Sequence, residues 1–157
     1  MAEATLLYES VIATSDDMDE LGKRFANVLE AGDLVILIGP LGAGKTTFTR
    51  GVGSSLGVEG NVSSPTFVIA RTHKRMDIAE APLVHVDAYR LGSPQELDDL
   101  DIPFEKSIVL VEWGKGLTEG ISENWIEIEF ERDHSGQTED RNVKIVGYGE
   151  RWKEVSF

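Results

Sequence analysis

An unbroken apolar run that leads directly into a glycine-rich segment is the feature that most restricts how this chain can fold. The run, Leu34–Ile38, is too short for a typical helix and rich in β-branched residues, which favours a buried central strand. Residues 39–47 follow with the sequence GPLGAGKTT, and the segment through Leu56 suits a helix that ends at Gly57. The order strand, glycine loop, helix predicts an α/β domain built around this unit.

The glycine-rich segment matches the phosphate-binding loop pattern GxxxxGK[ST] through Gly39, Gly44, Lys45 and Thr46. In that pattern the glycines let backbone N–H groups point at phosphates, the lysine reaches the outer phosphates, and the threonine hydroxyl meets magnesium. The alternative is a glycine-rich turn that binds nothing, but the flanking strand and helix are the context that the pattern requires. The segment therefore predicts binding of a magnesium–nucleotide complex.

Further elements are predicted around this unit. Leu21, Phe25 and Leu29 recur every four residues and predict a helix, and a short helix begins at residues 93–96. Strands are predicted at 67–72, 83–89, 108–111 and 125–131, with further edge strands at 143–146 and 152–157. We expect one domain over residues 1–157 with a P-loop NTPase fold: a mixed, mostly parallel central sheet flanked by helices, with antiparallel edge strands.

Two acidic residues are candidates for the chemistry of a nucleotide site. Glu112 follows the apolar residues 108–111, so we expect it at the carboxyl edge of the sheet, where it could hold magnesium or orient water. The alternative is that it merely ends an exposed strand. Asp87 shares a strand face with His85 and Tyr89, and we expect a catalytic or magnesium-sphere role for Asp87. For His85 and Tyr89 we expect an internal hydrogen-bond network or a solvent-facing position.

A hydroxyl candidate lies in the polar loop at residues 63–66, which follows the helix of the phosphate-binding motif. Switch segments of phosphate hydrolases contribute a hydroxyl near the γ-phosphate from such a place, and Thr66 is the candidate contact. A simple serine–threonine turn before a strand is an equally good interpretation.

Charge and composition argue against several other functions. The chain has 28 acidic and 15 basic residues, a net charge of −13 that repels phosphate backbones, so a stand-alone nucleic-acid binder is not expected. It has no cysteine, which excludes disulfides, thiolate zinc sites and a cysteine nucleophile. The start of the chain lacks a basic region and no apolar run approaches membrane-spanning length. We therefore expect a cytoplasmic protein without membrane contact.

Four segments taken together resemble the bacterial TsaE family. They are, in family order, GPLGAGKTTFTRG at 39–51, SSPTF at 63–67, HVDAYRL at 85–91 and VEWG at 111–114. The first is a general nucleotide motif, whereas the other three are specific to this family in combination. The resemblance spans roughly residues 15–145 of the chain.

This resemblance implies a small magnesium-dependent ATPase that serves threonylcarbamoyl modification of the tRNA adenosine beside the anticodon. It would act on the proteins TsaD, which transfers the group, and TsaB, and it would meet tRNA only indirectly through that complex. Hydrolysis would be slow alone and stimulated by the partners.

The resemblance also implies roles for individual residues. Lys45, Thr66, Asp87 and Glu112 would act in hydrolysis, and Thr46 and Glu112 would hold magnesium. The residues implied in nucleotide binding are Ser15, Leu41, Gly42, Ala43, Gly44, Lys45, Thr46, Thr47, Trp113 and Arg141. The family often has threonine in the adenine pocket where this chain has Met18, and Thr14 and Ser15 lie nearby as substitutes.

Two other functions also fit a phosphate-binding loop. A small-molecule kinase usually has an arginine-rich lid, whereas residues 93–101 contain no arginine and are strongly acidic. A regulatory GTPase, acting as a nucleotide-gated binding module, usually reads guanine with Asn-Lys-x-Asp, which this sequence lacks. ATP is therefore the expected nucleotide, and phosphate transfer to metabolites or nucleotide competition would distinguish these alternatives.

Overall fold

Seven strands of the described chain form one sheet in the order β1-β7-β6-β2-β5-β4-β3. The computed structural model describes residues 2–40, 42–60, 69–77, 79–114, 116–118, 120–133 and 135–156. The strands are β1 (Ala4–Ile12), β2 (Leu34–Ile38), β3 (Ala70–His73), β4 (Leu83–Asp87), β5 (Ile108–Glu112), β6 (Trp125–Arg132) and β7 (Arg141–Tyr148). The helices are α1 (Ser15–Ala26), α2 (Lys45–Leu56) and α3 (Pro94–Asp98), with short 3-10 helices at Phe104–Lys106 and Glu150–Trp152.

The centre of the sheet is parallel and its margins are antiparallel. Strands β6, β2, β5 and β4 run in the same direction, whereas β7 and β1 on one side and β3 on the other are antiparallel to their neighbours. This arrangement confirms the predicted fold class, a P-loop fold with a mixed, mostly parallel sheet. One expectation was wrong in detail, because β7 lies between β6 and β1 and is not an edge strand.

Helices α1 and α2 cover one face of the sheet and cross each other closely. A Cβ atom added at Gly22 would lie 2.2 Å from the Phe48 carbonyl oxygen, and one added at Gly51 would lie 2.2 Å from the Asp19 carbonyl oxygen. Beneath the crossing, the ring of Phe48 lies 5.5 Å from those of both Phe25 and Phe130. The two glycines therefore let the helix backbones meet above an aromatic core.

The opposite face of the sheet has a smaller apolar core. Val84, Val86, Val109 and Val111 point to this side and pack with Leu97 of α3. Among the described residues, no helix combines the length and the apolar character needed to cross a bilayer.

The predicted edge strand at 152–157 was wrong, because the described part of this segment begins in a 3-10 helix and contains no strand. Gly149 has a φ of 101° and turns the chain away from β7. Trp152 is then fully buried against Gly147, where an added Cβ would lie 2.4 Å from the Trp152 Cβ. The Arg151 guanidinium donates to the buried Asp33 carboxylate at 2.6 and 2.7 Å. Burial of the indole and this ion pair favour a turn over an extended strand.

Candidate functional site

The glycine-rich loop connects the carboxyl end of β2 to the first turn of α2, as predicted. Gly44 is the residue before the helix and has a φ of 101°, a left-handed conformation that favours glycine. An added Cβ would also lie 2.8 Å from the Met18 Cε, so the flexible Met18 side chain would have to shift. The first turn of α2 contains no acidic residue. Its free backbone N–H groups and the helix dipole therefore favour an anion at this position.

Lys45 is almost fully buried, with 4% of its surface exposed. Its Nζ donates a hydrogen bond to the Gly39 carbonyl oxygen and lies 4.1 Å from the centre of the Trp113 ring. Burial lowers the pKa of the Lys45 ammonium, and the nearby carboxylates of Glu112 and Asp87 oppose that shift. The ammonium is thus held at the loop between a carbonyl, an aromatic face and two acids.

The two candidate acids lie side by side at the carboxyl edge of the sheet. Asp87 and Glu112 are register partners at the ends of the parallel strands β4 and β5. Asp87 Oδ1 accepts a hydrogen bond from the Tyr89 backbone N–H at 3.1 Å, so one of its oxygens stabilises the turn that follows the strand. Glu112 is only 4% exposed, and its Oε2 lies 2.7 Å from His85 Nε2.

The two neighbours of Asp87 on its strand face occupy the positions expected for them. His85 is fully buried and hydrogen-bonded to Glu112, and Tyr89 is 70% exposed to solvent. The Tyr89 ring contacts the Trp113 ring edge to face, with 5.3 Å between their centres. Trp113 adopts a φ of 63°, an unusual conformation for a bulky residue, directly after Glu112. This turn places its indole beside Lys45.

A cavity of about 530 Å³ lies between the start of α1, the glycine loop and the start of β7. Pockets for small ligands commonly have volumes of about 300–1,000 Å³, so a nucleotide is an appropriate occupant by size. The predicted site residues that line it are Ser15, Gly42, Gly44, Lys45, Thr46, Thr47, Glu112 and Arg141. It is also lined by Ala13 and Glu139, which sequence reasoning missed, and by Met18 and Thr14, which the resemblance had connected with the adenine pocket.

Five predicted site residues are not part of this lining as described. Asp87 lies next to Glu112 on the neighbouring strand. Ala43 is fully buried, and Trp113 contacts Lys45. Leu41 and Thr66 fall outside the described residues, as does the whole predicted SSPTF segment, so their assignments stay predictions.

Arg141 lies beside the glycine loop, where its guanidinium holds backbone carbonyls. It donates to the carbonyl oxygens of Glu139 at 2.8 Å, Asp140 at 3.1 Å and Gly42 at 3.2 Å. Arg132, which sequence reasoning missed, is its cross-strand partner, and its Nη1 lies 3.6 Å from a Cβ position built on Gly42. Both arginines are about 90 or more residues from the loop in sequence, so no local pattern signals this contact.

Thr46 and Glu112 have the chemistry of magnesium ligands. A hydroxyl and a carboxylate are hard oxygen donors, and both face the same cavity beside the anion-favouring end of α2. Mg²⁺ is usually bound through one or two carboxylates together with substrate phosphates, and this pair of residues fits that requirement.

The parallel sheet, the loop at its carboxyl edge and the lysine at the start of α2 define a domain of the P-loop NTPase class. The chain belongs to the TsaE family, since the model of "Threonylcarbamoyl adenosine biosynthesis protein TsaE" matches residues 12–143.

Relatives with known names agree with this membership. The "tRNA threonylcarbamoyladenosine biosynthesis protein TsaE" of Streptomyces coelicolor is 52% identical over 140 residues, which cover 86% of this chain and 93% of the relative. The protein of the same name from Bacillus subtilis is 32% identical over 139 residues, covering 88% of this chain and 84% of the relative. The crystal structure of YdiB from Bacillus subtilis superposes with a TM-score of 0.73 at 26% identity, covering 98% of this chain and 91% of that one.

Proposed function

We propose that this chain is a magnesium-dependent ATPase that serves tRNA threonylcarbamoyladenosine biosynthesis by acting on a TsaD–TsaB complex. The observation that carries the ATPase assignment is the convergence of Lys45, Thr46 and Glu112 on one cavity at the N-terminus of α2. The pathway assignment is supported by family membership and by the names of relatives that cover most of the chain.

Binding of the triphosphate follows from the loop and the lysine. Backbone N–H groups at the start of α2 would donate to phosphate oxygens. The Lys45 ammonium, which donates to the Gly39 carbonyl, would exchange this partner for a phosphate. Thr46 and Glu112 would hold Mg²⁺, which neutralises charge that develops on the phosphates during transfer.

Hydrolysis needs a positioned water more than it needs covalent chemistry from the protein. The water oxygen would bond to the γ-phosphorus while the bond from that phosphorus to the ADP oxygen breaks. The carboxylates of Asp87 and Glu112 lie at the edge where the γ-phosphate would face, and they can accept a hydrogen bond from this water. Thr66 is proposed to contribute a hydroxyl at the same end of the nucleotide.

Slow hydrolysis by the chain alone is supported by how Arg141, one of the two arginines at the loop, is used. The Arg141 guanidinium donates to three backbone carbonyls and pairs with Glu139, so it shapes the loop and is not free to neutralise a transferring phosphoryl group. A cation or a closing contact from the partner complex would supply that charge and stimulate turnover. The acidic surface suits a cytoplasmic protein that docks on proteins while the complex holds tRNA.

The direct test is ATP hydrolysis by the purified chain with magnesium, with and without TsaD and TsaB, using Lys45→Ala as background. We expect low activity alone, a rise of tenfold or more with the complex, and loss of both in the variant. An arginine finger supplied in trans is worth about 10³–10⁵ in turnover, so a tenfold rise is a conservative threshold.

Two results would contradict the proposal. Equal hydrolysis by the unaltered chain and Lys45→Ala in both mixtures would remove the ATPase assignment and favour a nucleotide-gated binding module. Transfer of the γ-phosphate to a metabolite instead of water would identify a kinase.

A further inference from the structure

The carboxylate of Glu112 is fixed by a histidine from the neighbouring strand. His85 lies two residues before Asp87 on β4, so it shares the face on which Asp87 and Glu112 are register partners. Its imidazole reaches diagonally to Glu112, where Nε2 lies 2.7 Å from Oε2. The His85 side chain is fully buried and the Glu112 side chain is 6% exposed, so water scarcely competes for this bond.

The chemistry of the pair determines which atom carries the hydrogen. An ionised carboxylate only accepts hydrogen bonds, so His85 Nε2 must be the donor. His85 Nδ1 is buried and has no hydrogen-bond partner within the described part of the chain. The imidazole therefore has one specific contact, and that contact is to Glu112.

This contact also sets which Glu112 oxygen is available to the cavity. Glu112 lines the cavity, and with Oε2 bound to His85 its Oε1 is the oxygen left for a ligand. The Glu112 charge acts on the Lys45 ammonium. These two described residues nevertheless do not form an ion pair within 4.0 Å. The bond to His85 thus competes with collapse of the carboxylate onto the ammonium.

We propose that His85 is a positioning residue that holds Glu112 in the orientation needed to bind magnesium with the nucleotide. This inference rests on the proposed function, because it gives Glu112 the magnesium role assigned above. Partners that orient a metal-binding side chain typically contribute about 10–100-fold to metal affinity or activity.

The experiment compares three variants of the full chain. His85→Leu removes the N–H donor, and His85→Gln keeps a donor of similar reach. His73→Leu is the matched control, because His73 is also buried, lies on the same sheet face in β3, and has an Nε2 without a hydrogen-bond partner among the described residues. Thermal unfolding of each variant first measures any general loss of stability.

Calorimetric titration with ADP then measures the ADP affinity without magnesium, in EDTA. Repeating the titration at increasing magnesium gives the magnesium concentration at which the increase in ADP affinity is half-maximal. We expect His85→Leu to raise that magnesium concentration by tenfold or more while ADP affinity in EDTA stays within about twofold. His85→Gln should stay within about threefold of the unaltered chain, and His73→Leu should not differ from it.

A second measurement requires no nucleotide. Nitrogen-15 NMR of the histidines should show His85 with its hydrogen on Nε2, and Glu112→Gln should shift that resonance. A hydrogen on Nδ1 instead would overturn the proposal.

The outcomes separate this inference from the function on which it rests. An unchanged magnesium requirement in His85→Leu, or a rise in His73→Leu as large as that in His85→Leu, would overturn the positioning role alone. If the unaltered chain shows no magnesium-dependent ADP binding, the proposed function and the positioning role both fail.

Discussion

The crossing of α1 and α2 yields a quantitative prediction about Gly22. The methyl group of Gly22→Ala would lie 2.2 Å from the Phe48 carbonyl oxygen, whereas ordinary van der Waals contact begins at 3.4 Å. The obstacle is backbone and cannot rotate away, so the helices must separate by about 1 Å at this point. Such overpacking typically costs about 1–3 kcal/mol, and the better helix propensity of alanine returns up to about 1 kcal/mol.

We therefore expect Gly22→Ala to lower the free energy of unfolding by about 2 kcal/mol, which is near the largest net cost left after the gain in helix propensity is subtracted from the cost of overpacking. For a domain of this size, that corresponds to a fall in Tm of about 4–8 °C. The assay is thermal and urea unfolding, with Ser55→Ala on the exposed surface of α2 as control, which should change stability by less than about 0.5 kcal/mol.

The same substitution should also weaken nucleotide binding, because α1 carries Ser15 and Met18 to the wall of the cavity that α2 shares. Calorimetric titration with Mg–ADP measures that effect. A Gly22→Ala variant at least as stable as the unaltered chain, or one that binds ADP equally well, would refute the argument that close helix contact sets the cavity.

Three further substitutions test other parts of the structure. Arg151→Met leaves the buried Asp33 carboxylate without its guanidinium, and we expect urea unfolding to show a loss of about 3 kcal/mol. Hydrogen bonds from Thr138 and Ser135 lower the pKa of Asp133 from 3.8 to about 2. The ionised Asp133 carboxylate therefore stabilises the fold at pH values above 3.8, and this stabilisation is lost as the pH falls toward 2. In Thr138→Val, carboxyl NMR should show a higher Asp133 pKa. Arg141→Gln removes donors to the glycine loop, and we expect about tenfold weaker ADP binding by calorimetry.

Each of these expectations has a result that contradicts it. A loss below about 1 kcal/mol in Arg151→Met would mean that water replaces the guanidinium at Asp33. An Asp133 titration that is the same with and without Thr138 would remove the hydrogen-bond explanation of its low pKa. Unchanged ADP affinity in Arg141→Gln would mean that the loop keeps its shape without that contact.

Local patterns in the sequence predicted the central part of the fold and four residues of the cavity lining, namely Gly44, Lys45, Thr46 and Glu112, whereas Ser15, Gly42, Thr47 and Arg141 came from the family resemblance. The apolar run of β2, the glycine loop and α2 are contiguous, so their chemistry and spacing are sufficient to recognise them. Glu112 was predicted at the carboxyl edge of a buried strand for the same reason, and it lies there.

Features that depend on irregular or long-range contacts were not predictable in this way. Strand β1 was missed because a register shift between Leu6 and Tyr8 interrupts its period of two. The segment 152–157 was misread as a strand because burial of Trp152 and the pairing of Arg151 with Asp33 outweigh its local pattern. The bond between His85 and Glu112 joins residues 27 positions apart, so only the pairing of β4 with β5 brings them together.

The order of strands in the sheet has a consequence for how the chain is made. Strand β2 is apolar, and both strands that pair with it, β5 and β6, follow it by more than 70 residues. Strand β1 pairs with β7, the last of the seven described strands in the sequence. During synthesis from the N-terminus, Leu34–Ile38 therefore has two unpaired edges until residues through Glu112 have left the ribosome, and one unpaired edge until β6 follows. This apolar strand is therefore open to edge-to-edge association with other chains over most of the translation of the protein.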